Sequence, residues 1–81
     1  MKADEMLSSL GYMCMKKDEK NIIWTLYAHD YKYEIDFKLK YKEVLYKPIF
    51  RKTGEILDNG GISMQELQAI NKKCQELGWI E

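Results

Sequence analysis

From Tyr31 to Leu39 the chain alternates without exception: Tyr31, Tyr33, Ile35, Phe37 and Leu39 interleave with Lys32, Glu34, Asp36 and Lys38. In an extended strand this period of two sends every apolar side chain to one side and every charge to the other. A helix would scatter the same residues around its axis. The chain must therefore build a sheet with one dry face and one wet face. Another part of it must cover the dry face.

Two segments read as that cover. The stretch from Ile62 to Trp79 predicts a helix with both ends marked. Ser63 and Glu66 form a capping box, Ile62 and Leu67 a hydrophobic staple, and Gly78 a left-handed stop that lets Trp79 fold back toward Cys74. Met64, Leu67, Ile70, Cys74 and Leu77 are expected on its apolar face, with Gln65, Gln68, Lys72, Lys73 and Glu76 mainly away from it. Near the start, Ala3, Met6, Leu7 and Leu10 recur at helical spacing up to Gly11, with Asp4 and Glu5 favoured by the dipole of the first turn.

Between the helices, strands are expected over 12–17, 21–28, 31–39 and 43–47, the last extending toward Phe50. Turns fall at 18–21, 29–30 and 40–42. Pro48 cannot donate to a ladder, which places its strand at a sheet edge or ends it there. The loop Asp58-Asn59-Gly60-Gly61 leads into the last helix. Short connections make successive strands antiparallel neighbours. The expectation is one small α+β domain over residues 1–81, ordered α-β-β-β-β-α, with a meander sheet and both helices packed on one face.

Composition narrows the functional classes. The 81 residues are 46% hydrophobic and 32% charged, as in a soluble globular chain. No run approaches the roughly 18 apolar residues of a membrane span. Acids near Met1 replace the apolar core of a signal peptide, so a cytoplasmic location is expected. Cys14 and Cys74 then read as reduced, small core residues. Formal charge is zero overall, yet residues 1–37 carry −2, 38–52 carry +5 and 53–81 carry −3.

No constellation for catalysis emerges. His29, the one histidine, lies in a turn, apart from both cysteines, so no nucleophile pair is expected. Neither a metal site nor a cofactor is expected. Glu34 and Asp36, about 7 Å apart along one strand face, are flanked by Lys32 and Lys38 and should be neutralised on an open surface. The glycines before the last helix lack the spacing and lysine of a phosphate loop. The chain thus reads as a non-enzyme.

Binding is what remains. If Ile22, Trp24 and Leu26 face the helices, then Ile23, Thr25 and Tyr27 face outward beside Lys32, Glu34 and Asp36. That surface is the expected interface for an unknown protein partner or for a homodimer. The alternative is a nucleic-acid contact through Lys38, Lys40, Lys42, Lys47, Arg51 and Lys52, interleaved with Tyr41, Tyr46 and Phe50. The element order also resembles that of double-stranded-RNA-binding domains. The last helix, however, opens with Met64-Gln65-Glu66 where those domains place basic residues.

The opening Ala3-Asp-Glu-Met-Leu-Ser-Ser-Leu-Gly-Tyr12 and the closing Ile62-Ser-Met-Gln-Glu-Leu to Leu77-Gly-Trp79 resemble small uncharacterised proteins of prophages and integrative elements in Gram-positive bacteria (Firmicutes). In that group a short helix ending in Leu-Gly-aromatic opens the chain and a helix ending in Leu-Gly-Trp closes it. The resemblance implies a cytoplasmic accessory protein of a mobile element and carries over no functional residue.

Overall fold

The computed structural model describes residues 1–57 and 60–81. Seven elements follow in order: α1 (Ala3–Ser9), β1 (Met13–Lys17), β2 (Asn21–Ala28), β3 (Tyr31–Lys38), β4 (Glu43–Phe50), β5 (Glu55–Ile56) and α2 (Met64–Glu76). The strands form one antiparallel meander, β1-β2-β3-β4-β5, between the two helices. A helix–meander–helix chain of the α+β class is the architecture expected from the alternating strand. Asp58 and Asn59, part of the loop expected before the last helix, lie outside the described residues.

β5 is the added element, and Pro48 explains it. The Pro48 carbonyl accepts from the Leu57 N–H at 2.8 Å, so the polar groups of Pro48 point away from β3. The missing N–H therefore removes nothing from the β3–β4 ladder, and β4 runs through Pro48 to Phe50. Among the described residues β5 pairs with Ile49 and Phe50, at one end of β4.

Strand register sorts the faces. Ile22 pairs with Phe37, Trp24 with Ile35, and Ile35 in turn with Tyr46. Ile22, Phe37, Trp24 and Ile35 join Leu7 of α1 and Ala69, Ile70 and Cys74 of α2 in one buried core, and Tyr46 packs against it. Each fully buried aliphatic or Phe side chain contributes about 1.5–3 kcal/mol. Trp79 packs on Phe37 with ring centroids 6.5 Å apart.

Both helices end in the same six-residue closure. Gly78 has φ 78° and donates to the Gln75 carbonyl, while Trp79 donates to Cys74. Gly11 has φ 98° and donates to Ser8, while Tyr12 donates to Leu7. This is the double hydrogen bond of a Schellman motif, which turns the aromatic after each glycine back under its helix. Tyr12 and Trp79 thereby enter or flank the core.

Three local expectations change. The buried face of α2 is centred on Ala69, Ile70, Lys73 and Cys74, while Met64 and Leu67 stay 65% and 45% exposed. The physical reason is that α2 packs against α1 as well as the sheet, and that second contact rotates the buried arc. Lys73 is accordingly only 7% exposed, with Nζ 3.0 Å from Asp4 Oδ1 of α1. Cys14 is exposed rather than in the core, because β1 is the outermost strand and all five of its residues are exposed. Cys74 is buried as expected, and that burial pushes its thiol pKa up.

Candidate functional site

The six residues expected at a protein interface meet on one face. Ile23 pairs with Asp36, Thr25 with Glu34 and Tyr27 with Lys32, three successive register pairs of β2 and β3. Beyond β3 the same face continues into Leu45, Lys47 and Ile49 of β4. It lies opposite the side that carries the core with α1 and α2.

The face is less open than the alternation implies. Thr25 is 2% exposed and Asp36 3%, so the centre is already covered by its neighbours. Asp36 accepts from Asn21 Nδ2 at 2.9 Å and lies 3.7 Å from Lys38 Nζ and 4.0 Å from Lys47 Nζ. Glu34 lies 3.7 Å from Lys32. The expected mutual neutralisation is present, but around a buried Asp36 rather than on an open surface. Tyr27 remains exposed at one end, with the Arg51 guanidinium 5.2 Å from its ring centroid.

The basic segment does not gather into one patch. Lys38, Lys40 and Lys42 lie at the β3–β4 turn, whereas Arg51 and Lys52 follow the far end of β4, eight residues long. At about 3.4 Å per residue the strand separates them by more than 20 Å. Lys47, between them, is engaged with Asp36. Arg51 is also committed, donating to the His29 carbonyl at 2.8 Å. What the turn does form is a cavity of about 270 Å³ lined by Lys20, Asn21, Lys38, Lys40 and Tyr41. Lys20 joins it from the β1–β2 turn, a partner that sequence separation hid.

A second constellation was not foreseen. The Tyr12 hydroxyl donates to Glu66 Oε2, and Tyr46 donates to the same oxygen at 3.3 Å. Glu66 Oε1 accepts the Ser63 N–H at 2.8 Å, completing the expected capping box. These groups edge a cavity of about 360 Å³, with Leu10, Leu26 and Tyr33 among its other lining residues. Tyr33 and Tyr46 stack with centroids 6.2 Å apart. Burial opposes ionisation of Glu66, but the hydrogen bonds from Tyr12, Ser63 and Tyr46 outweigh it and hold the carboxyl below its ordinary range. Burial, then the charge and hydrogen bond of Glu66, push the Tyr46 phenol up to about 12. Tyr12 is driven upward further, by burial first and Glu66 second. The signal in the sequence was Glu66 itself, already assigned to the cap.

The residues considered for catalysis stay apart. His29 is an exposed turn residue, Cys14 lies on β1 and Cys74 on α2. Among the described residues no group of three or more His, Cys, Asp or Glu is placed to hold a metal ion, and no helix is long and apolar enough to cross a membrane.

No protein-family model matches the chain, and neither the curated proteins nor the solved structures returned a significant match.

Proposed function

We propose that this chain is a non-catalytic binding module whose working surface is the outer face of the sheet, and whose occupant is another protein or a second copy of itself. One observation supports the reading above the others: Ile23, Thr25, Tyr27, Lys32, Glu34 and Asp36 share one face in three consecutive register pairs. The face offers apolar groups at Ile23 and Tyr27 beside charges that are mostly engaged with one another. Apolar groups set beside polar ones suit a protein contact. The likeness of both chain ends to proteins of mobile elements adds an accessory role to the proposal.

The test is backbone NMR of labelled protein at two concentrations, followed by capture from host lysate, with Tyr27→Glu and Ile23→Glu in parallel. Broadening or capture that maps to β2 and β3 and disappears in both variants upholds the reading. Interactions untouched by either variant overturn it.

A second reading is favoured by the lysine cavity. Lys20, Lys38 and Lys40 around Tyr41 offer cations beside an aromatic ring, which suits a nucleic-acid strand. Binding there should weaken steeply with salt and fall in Lys38→Gln, whereas the protein contact should respond little to salt.

A further inference from the structure

The cavity at the start of α2 has a chemistry separate from the outer face, and it lies on the helix side of the sheet. Its lining includes three tyrosines, Tyr12, Tyr33 and Tyr46, and among the described residues its only charged lining residue is Glu66. Among the described residues Glu66 has no ion pair with a lysine or arginine, so its negative charge is balanced only by hydrogen bonds. An ionised carboxylate beside aromatic rings attracts cations twice over, through its charge and through the ring quadrupoles.

We propose that this pocket binds an alkylated organic cation, of the quaternary or methylated ammonium class. The hydrogen-bond inventory selects that class over a primary amine. Oε2 of Glu66 already accepts from two tyrosine hydroxyls, and Oε1 from the Ser63 N–H. A carboxylate oxygen offers about two lone-pair sites, so little acceptor capacity remains for an ammonium with several N–H groups. A cation whose nitrogen carries methyl groups needs no acceptor. It asks only for negative charge and for apolar or aromatic walls, which Leu10, Leu26 and Tyr33 supply. A volume of about 360 Å³ admits a head group of that size.

The probe pair is choline and its uncharged carbon isostere, dimethylbutanol, each titrated into labelled protein and followed by amide and tyrosine-ring chemical shifts. Choline should move Leu10, Leu26, Tyr33 and Glu66 and bind roughly tenfold more tightly than the isostere. Glu66→Gln retains a residue suited to the capping box and should erase the preference for the charged probe. Tyr33→Leu, which touches none of the Glu66 hydrogen bonds, should weaken choline while leaving the fold unchanged by its amide spectrum. Equal binding of choline and isostere, shifts that ignore Glu66→Gln, or no shifts at this pocket would each overturn the proposal. None of these outcomes bears on the outer sheet face.

Discussion

Tyr12 donates its hydroxyl to Glu66 across 54 residues of sequence, tying the segment after α1 to the first turn of α2. That bond, with those from Ser63 and Tyr46, lowers the folded pKa of Glu66 below the ordinary glutamate value of about 4.3. A lowered carboxyl contributes stability that is fully present above the ordinary value and is lost as pH falls through the folded one. Urea unfolding of the native chain and of Glu66→Gln should therefore show a gap near neutrality that closes in strong acid. A gap independent of pH would contradict this.

The opposite sign applies to Tyr46. A phenol raised to about 12 contributes stability below the ordinary value of about 10 and loses it as pH rises through the folded value. In an ultraviolet alkaline titration, Tyr46→Phe should remove a late-ionising component and leave the early part of the curve intact.

Lys73 and Asp4 divide unequally between water and core. Lys73 is buried, while the Asp4 side chain is half exposed at 51%. Removing the exposed partner leaves a buried ammonium without its acceptor, so Asp4→Ala should cost about 1–2 kcal/mol in urea unfolding. Lys73→Met keeps the volume and removes the charge, and should fall within about 1 kcal/mol of the native chain or above it.

The two thiols should separate in a reagent assay on the folded protein. Cys14 is exposed on β1, and Cys74 is buried with a raised pKa. One thiol should react quickly with a disulfide reagent. Cys14→Ser should abolish the fast phase, while Cys74→Ser should spare it.

His29 occupies the left-handed region at φ 51° in a two-residue turn between Ala28 and Tyr31. A side chain there costs roughly 1–2 kcal/mol, part of which glycine returns as unfolded-state entropy. His29→Gly should therefore stabilise the fold by about 0.5–1 kcal/mol. A loss of stability would give the imidazole a role that the structure does not show.

Local pattern carried both helices, four of the five strands and the division of the sheet into two faces. The alternation at Tyr31–Leu39 and the glycines at Gly11 and Gly78 act through neighbours in sequence. Ile35 and Phe37 enter the core and both glycines close their helices as read, although β3 stops at Lys38 and Tyr31 stays exposed. Long-range pairing was invisible. Lys73 is buried because Asp4 waits 69 residues earlier, and no helical wheel contains that information. Tyr12 and Tyr46 reach Glu66 from 54 and 20 residues away in sequence. Asp36 was legible as a charged position facing outward, but its burial depends on Lys38, Lys47 and Asn21 arriving from two other places. Cys14 failed for a related reason: an apolar run shows hydrophobicity, not that its strand will be outermost.

The paired charges on the outer face carry a kinetic consequence. Lys32 offsets Glu34, whereas Lys38 and Lys47 share the single carboxylate of Asp36 and Arg51 stands beside Tyr27, so the face keeps a modest positive excess. A neutral molecule diffusing toward this surface is not drawn to it from afar, so its capture belongs to the unsteered regime of about 10⁵–10⁶ M⁻¹s⁻¹, while an acidic one is drawn in modestly. Whatever lodges here would then be chosen by how long it stays rather than by how fast it arrives.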